Sequence, residues 1–424
     1  MMRRLALFLG FMAMLALGGL LRLLSPGTRE KAGPHPLAGT VEFLPAGLTL
    51  RQLVHAALVL ATAVGALGVF VLVSGVVPIR ASAGHWTVTR WFLDFAMSRS
   101  FSTYSFGIEV PPLDDPALVL RGAGHYEGAC RPCHGSVTGM LPAIPRAMTP
   151  HPPLLPGKIA AWEPRELFSI VKHGVKFTGM PAWPARQRDD EVWAVVAFLR
   201  RMPQLDAAQY RQLSGADFST SPPPPVADLA EVSARPPSTV LQTCGRCHGL
   251  DGLGRGFGAF PKLAGQRGAY LENALRAYAT GRRHSGIMQP IAEGLSAEVR
   301  RDLAVYYAGL PIDASGPEAH ELRPLLPAPR RQLSAARRER GARLAAGAVE
   351  GVPACLECHG DGPVNPAYPI LSGQYAGYLE SQLQLFKDGR RGGSEYAHIM
   401  RKVVQRLTPE QAAAAAEFFS SREP

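Results

Sequence analysis

Three copies of one five-residue pattern constrain this chain more than any other feature of it. Cys130-Arg131-Pro132-Cys133-His134, Cys244-Gly245-Arg246-Cys247-His248 and Cys355-Leu356-Glu357-Cys358-His359 all read C-x-x-C-H, and they use all 6 cysteines present. Two thiols at this spacing add across the vinyl groups of one haem, and the adjacent imidazole supplies an axial nitrogen to the iron. A redox dithiol has no use for a following His in every copy, and a zinc site needs two pairs packed together. Here more than 100 residues separate each pair from the next. The sequence therefore predicts three covalently bound haem c groups. Cys130, Cys133, Cys244, Cys247, Cys355 and Cys358 are the attachment points, with His134, His248 and His359 on iron.

Iron held in this way needs a ligand on its other face, delivered by a segment that wraps the haem edge. A Met follows the second Cys of each motif by 41 to 47 residues: Met180 in Thr178-Gly179-Met180-Pro181-Ala182-Trp183, Met288 in Ser285-Gly286-Ile287-Met288, and Met400 in Ala397-His398-Ile399-Met400. A thioether favours ferrous iron and so raises the potential relative to a second imidazole. Core filler is the ordinary role of Met, but each of these precedes a helix start at nearly constant distance: Asp189, Ser296 and Thr408. All three are suitable N-caps, and Thr408-Pro409-Glu410-Gln411 reads as a capping box. The helices that follow carry Trp193 and Phe198, Tyr306 and Tyr307, and Phe418 and Phe419, expected to pack on the motif-bearing helices. Met180, Met288 and Met400 are the predicted second ligands. His398 and His284 are rivals in the third and second modules, and His151 and His173 in the first.

The last two modules repeat each other. Pro261-Lys262-Leu263-Ala264-Gly265-Gln266 recurs as Pro369-Ile370-Leu371-Ser372-Gly373-Gln374, Tyr270-Leu271-Glu272 as Tyr378-Leu379-Glu380, and Gly281-Arg282-Arg283 as Gly389-Arg390-Arg391, at a constant offset of 108. The carbonyl of each Pro is placed to hydrogen-bond the axial imidazole and orient it. The Arg pairs suit haem propionates and, equally, a solvated helix end.

From about residue 113 to the end, these motifs resemble class I cytochrome c modules. Residues 113–213 look like single-haem domains with a Gly-Met-Pro-Ala-Trp loop. Residues 238–312 and 334–424 together look like the two-domain dihaem cytochromes c of bacterial respiratory chains. The resemblance implies small α-helical folds with one haem c each, His/Met ligation and one-electron transfer. Pro-rich linkers at 214–237 and 313–333 separate the modules, the second being either a spacer or a strap between packed modules.

Two apolar stretches precede the motifs, Leu5–Leu21 and Leu53–Val77, and the second is long enough to cross a bilayer. Haem is attached to C-x-x-C-H proteins outside the bacterial inner membrane. A cleaved signal at the first stretch would leave the second returning the haem modules to the cytoplasm. Two spanning helices in residues 1–80 remove the conflict, and Arg22, Arg29, Lys31 and Arg51 in the connecting loop agree with the positive-inside rule. Residues 81–112, with Trp86, Trp91, Phe92, Phe95, Phe101, Tyr104 and Phe106, read as an aromatic segment at the headgroup level. The same aromatics would serve as a docking surface for a membrane partner or as core of the first module.

The expected fold class is mainly α: two N-terminal transmembrane helices followed by three small α-helical cytochrome c domains. The net charge of +11 is offset by the propionates of three haems, and no basic stripe with interleaved aromatics points to nucleic acid. No cysteine is spare for a copper site, and two spanning helices cannot build an oxidase core. The expected role is an electron carrier rather than an enzyme, in the inner membrane with its haem domains in the periplasm. Its donor would be a quinol-oxidising complex or a dehydrogenase, and its acceptor a terminal oxidase. The alternatives are the cytochrome subunit of an alcohol or sugar dehydrogenase and, third, a haem peroxidase, which needs an open iron position.

Overall fold

The computed structural model describes residues 49–216, 236–312, 322–326, 334–347, 351–360 and 364–423. The chain divides into two compact units, residues 1–83 and 84–424. Every regular element among the described residues is helical.

In the first unit, helix α1 spans Leu50–Ser74. Thr49 starts it with a capping box to Gln52, and Gly75, at φ 68°, stops it in the left-handed conformation. These two signals set the helix three residues earlier than the Leu53–Val77 expected from hydrophobicity. It is long and apolar enough to cross a membrane. The expected Leu5–Leu21 helix lies outside the described residues.

The second unit opens with α2, Thr87–Tyr104. Trp86, Trp91, Phe92, Phe95, Tyr104 and Phe106 are exposed, whereas Phe101 turns edge-on to Trp162 with ring centroids 6.5 Å apart. Ser102 donates to Glu166 at 2.5 Å. The C-terminal end of this helix is thus pinned to the first haem module, and the aromatics before it face outward.

The first module begins with α3, Pro116–His125, capped by Asp115, whose carboxylate accepts from the N–H groups of Ala117 and Leu118. The helix continues through a π turn at Tyr126–Cys130 into a short α4, Arg131–His134. Helices α5 (Pro164–His173), α6 (Asp189–Arg201) and α7 (Ala207–Ser214) complete the module. α3 crosses α6 so closely that a Cβ on Gly122 would lie 1.9 Å from the Ala194 carbonyl oxygen. Phe198 of α6 packs on Tyr126 beside that crossing, with ring centroids 5.4 Å apart.

One sequence expectation is corrected here. Asp189 is not an N-cap: it is the first helical residue, where its charge suits the helix dipole, and it pairs with Lys172 at 2.7 Å. Trp193 stacks on Phe168 of α5 at 4.3 Å between centroids.

The second module comprises α8 (Ser238–His248), α9 (Gly268–Ala279), α10 (Met288–Glu293) and α11 (Ala297–Ala308). The third comprises α12 (Ala335–Ala346), α13 (Leu356–His359), α14 (Ala376–Lys387), α15 (Ala397–Gln405) and α16 (Pro409–Ser421). Ser296 caps α11 through Val299 N–H, and Thr408 with Gln411 forms the expected capping box on α16. At the α12–α16 crossing a Cβ on Gly341 would lie 2.1 Å from the Ala414 carbonyl oxygen and 2.8 Å from Phe418 Cβ. The first and third modules therefore share one crossing, Gly122 under Ala194 and Phe198, and Gly341 under Ala414 and Phe418.

The modules are packed against one another. On one side of the second module, Arg121 donates to Ala259 O at 3.2 Å and Arg255 to Leu213 O at 3.2 Å. The described part of the 313–333 linker does not bridge the second and third modules. Leu322 and Leu326 are buried in the core of the first, where Arg201 donates to Leu325 O at 3.3 Å. Most of the 214–237 linker lies outside the described residues.

Candidate haem-binding sites

Each C-x-x-C-H motif ends a helix, so its imidazole projects from the last turn. In the first module Cys130 closes the π turn, and Cys133 and His134 lie in α4. Cys244, Cys247 and His248 lie in the last turns of α8, while Cys358 and His359 end α13, with Cys355 as its N-cap. All six thiols are unpaired and half-buried. Burial pushes Cys130 and Cys244 up to about 12 and Cys247 to about 11, with the neighbouring Cys adding to the effect for the first two. Such thiols are poor free nucleophiles. The described residues bring together no group of three or more His, Cys, Asp or Glu side chains that would hold a metal ion, as a structural zinc site requires.

The three imidazoles share one arrangement. Nδ1 of His134 lies 3.0 Å from Pro153 O, Nδ1 of His248 is 3.1 Å from Pro261 O, and Nδ1 of His359 is 2.9 Å from Pro369 O. A carbonyl accepts only from an N–H, so each Nδ1 carries the proton and each Nε2 has its lone pair free for a metal. Burial holds all three imidazoles below their ordinary pKa, partly opposed by these carbonyls, which favours the neutral ligand form. Two thiols and one backed imidazole per helix end fit a covalently attached haem. Pro261 and Pro369 take the part expected from the repeat; Pro153 does the same at a different sequence distance and was not singled out.

The methionines differ in setting. Met180 sits in a loop whose Val175 N–H donates to Met180 O at 3.1 Å, while Thr178 Oγ1 accepts from Met180 N–H at 3.1 Å. Met288 is the first residue of α10 and Met400 lies within α15, so neither is a loop residue. Met400 packs against the cluster that includes Leu344 and Val352. Its rival His398 is exposed, with Nδ1 2.9 Å from Glu395 O. His151 and His173 are exposed as well. Met148, which sequence spacing did not pick out, has its methyl only 2.2 Å from where a Cβ on Gly179 would stand. A thioether thus lies against the residue preceding Met180.

The loops that back the second and third imidazoles face each other. Gln374 Oε1 accepts from Lys262 N–H at 3.1 Å and its amide donates to Lys262 O at 3.0 Å. Gln266 does the same to Ile370, at 2.8 and 3.0 Å. Each Gln brackets the residue that follows the imidazole-backing Pro of the other module. The second Arg of each repeated pair also turns inward. Arg391 lies over the Phe386 ring and donates to Tyr270 OH at 3.1 Å, and Arg283 donates to Gln382 at 3.2 Å across the module boundary. Burial alone would raise the Tyr270 phenol; Arg391 and Arg283 outweigh it and pull it down to about 8. Arg282 alone remains the solvated helix-end residue of its pair.

Between the first and second modules stands Glu191, almost fully buried, which sequence reasoning missed. Its Oε2 accepts from Trp183 Nε1–H at 3.1 Å and Gly286 N–H at 2.6 Å, while Oε1 accepts from Ser285 Oγ–H at 2.6 Å and forms an ion pair with Arg188, Nη1 standing 2.9 Å away. Burial pushes its pKa up, and Arg188, Ser285 and Gly286 pull against that. All four neighbours are donors, so the pocket suits a carboxylate accepting at both oxygens.

Comparison with known proteins agrees with this geometry. The family described as "Cytochrome C oxidase, cbb3-type, subunit III" matches residues 117–199, and that described as "Cytochrome c" matches residues 238–306. A protein named "Thiosulfate dehydrogenase electron acceptor" from Thiomonas intermedia is 35% identical over 195 residues, covering 46% of this chain and 83% of that protein. Cytochrome c4 of Pseudomonas aeruginosa is 32% identical over 178 residues, covering 41% of this chain and 81% of that protein. The crystal structure of reduced cytochrome c4 from Pseudomonas stutzeri aligns with a TM-score of 0.35 at 28% identity, covering 42% of this chain and 93% of that one. On the family and sequence matches and the repeated thiol–imidazole geometry, the chain belongs to the c-type cytochromes, built of class I modules and homologous to the dihaem cytochromes c4.

Proposed function

We propose that this protein is a membrane-anchored trihaem electron carrier that passes electrons along the periplasmic face of a bacterial inner membrane toward a terminal oxidase. The observation that carries the reading is the threefold repetition of one ligand arrangement inside one compact unit, residues 84–424. In each module the Cys pair tethers the haem and the backed imidazole supplies one axial nitrogen. Met180, Met288 and Met400 are proposed to supply the sulfur on the opposite face. The haem, once bound, supplies the one-electron couple; the chain's own residues hold its ligands still. Rigid ligation limits reorganisation between redox states, as a carrier requires. A carrier of this kind would keep both iron positions filled by protein, whereas a peroxidase needs one open. Helix α1 suits an anchor by length and composition, and the outward aromatics of α2 suit a headgroup layer.

A second reading makes the protein the electron acceptor of a periplasmic dehydrogenase. It is favoured by two relatives, from Thiomonas intermedia and Stutzerimonas stutzeri, that carry the name "Thiosulfate dehydrogenase electron acceptor". Purification of the tagged protein from its own membranes in mild detergent separates the two. Oxygen uptake driven by a reduced small-molecule donor, with additional haem that is not c-type, supports the oxidase side. A preparation with c-type haem alone and no uptake, reduced on adding thiosulfate and a co-purifying dehydrogenase, supports the acceptor role.

A further inference from the structure

We infer that Glu191 is a positioning residue that clamps the methionine segments of the first and second modules together, so that the axial ligation of haem 2 depends on module 1. The inference rests on the reading of Met180 and Met288 as ligands. Glu191 belongs to α6, yet two of the three hydrogen bonds to its carboxylate come from Ser285 and Gly286 of the second module. Ser285 Oγ in turn accepts from Met288 N–H at 3.1 Å. A chain of two hydrogen bonds therefore runs from the Glu191 carboxylate to the backbone of the proposed ligand of haem 2. On Oε2, which also accepts from Gly286 N–H, Glu191 holds the indole of Trp183, three residues after Met180. That indole closes on Gly286 so tightly that a Cβ there would lie 2.2 Å from Trp183 Nε1, which leaves room for glycine alone. Arg188 makes a second link, donating to His284 O at 2.8 Å while held bidentate by Asp190 at 2.9 and 2.8 Å.

The same contact covers the attachment edge of the second site. Gly124 of α3 stands where a Cβ would be 3.1 Å from Cys247 Sγ and 2.9 Å from the Phe260 ring. Ile287, beside Met288, packs on the first module's core. A thioether attachment point of haem 2 and its ligand segment are thus both seated on module 1.

Glu191→Gln tests the clamp in the full haem-loaded protein. An amide accepts at one atom only, so two of the four donors lose their acceptor. Redox titration should show three waves, with Met180→His and Met288→His identifying those of haems 1 and 2. Under the clamp, E191Q moves the waves of both haems 1 and 2, weakens the Met-dependent charge-transfer band of the ferric protein, and leaves the haem 3 wave in place. Movement of the haem 1 wave alone, or of none, overturns the inference. Ser285→Ala should move the haem 2 wave, and the E191Q/S285A double variant should move it no further than the larger single effect, since both break one chain of bonds. Additive shifts would mean independent action and would also overturn it. Should E191Q lose haem, Glu191→Asp keeps the charge and shortens the reach: a moved haem 2 wave supports the clamp, and an unmoved one refutes it. A Met288→His titration identical to the parent would indict the ligand assignment instead.

Discussion

Gln266 and Gln374 stand 108 positions apart in the sequence and perform one task for each other's modules, each bracketing a backbone N–H and C=O of the other with its side-chain amide. Such an exchange is what a duplicated domain makes when its two copies pack about a local twofold axis. Its placement beside Pro261 and Pro369 joins the module contact to the imidazoles those prolines back. Gln374→Ala leaves the N–H and C=O of half-buried Lys262 without these partners, at a combined cost of about 1–3 kcal/mol. Denaturant unfolding of the haem-loaded protein should show a loss in that range, and Gln266→Ala a similar one. The double variant should lose less than the sum, because the first substitution already loosens the contact.

Gly122 and Gly341 each let two helix backbones touch. Alanine at either needs space held by a carbonyl oxygen at 1.9 or 2.1 Å, so the helices must separate. Overpacking of this kind costs about 1–3 kcal/mol or more. Gly122→Ala should lower the thermal midpoint by destabilising the first module, and Gly341→Ala should act on the third. Gly377, with nothing within 4 Å of a Cβ, provides the control: Gly377→Ala should leave the midpoint unchanged or raise it slightly.

The legible part of this protein was what the cofactor chemistry or the duplication wrote into consecutive residues. The C-x-x-C-H triplets, the Pro261 and Pro369 backing carbonyls, and the Ser296 and Thr408 caps all rest on local spacing. The packing of the first module on the second was not legible. It depends on Glu191, Arg188, Ser285 and Gly286, which lie almost a hundred residues apart and repeat nowhere in the chain. Glu191 lies two residues after Asp189 in the acidic first turn of α6, and nothing in that short run marks it as the buried one. Arg121-Gly122-Ala123 recurs as Arg340-Gly341-Ala342, but so short a match carries no sign that its glycine marks a helix crossing. Met148 escaped notice because it precedes, rather than follows, the expected ligand segment.

His125 gives the fold a pH dependence. It is buried beside Trp183, and desolvation, then Arg121 and Arg188, push its pKa from 6.5 to about 3, with Asp190 acting the other way. The native value lies below the unfolded one, so between the two the unfolded chain binds a proton that the native protein refuses. Stability from this residue is intact above about pH 6.5 and falls as the pH drops toward about 3, by at most about 1.4 kcal/mol per pH unit. Unfolding midpoints measured across that window should decline with this slope superimposed on the carboxylate contribution. In His125→Gln the extra slope should vanish, and a slope unchanged by the substitution would remove His125 as its source.

Met180 and Met148 make opposite predictions for the first haem. If Met180 supplies the sulfur, Met180→His replaces a thioether with an imidazole, which favours ferric iron and lowers that site's potential. One of three waves in a redox titration should move down while haem content stays at three per chain. Met148→Leu, which keeps the packing against Gly179 and removes the sulfur, should leave all three waves in place. The reverse pattern, with Met148→Leu shifting a wave and Met180→His leaving it untouched, would assign the ligand to Met148. Counting haem after Cys244→Ser with Cys247→Ser completes the set. Two haems per chain would confirm one haem for each motif, and three would break that correspondence.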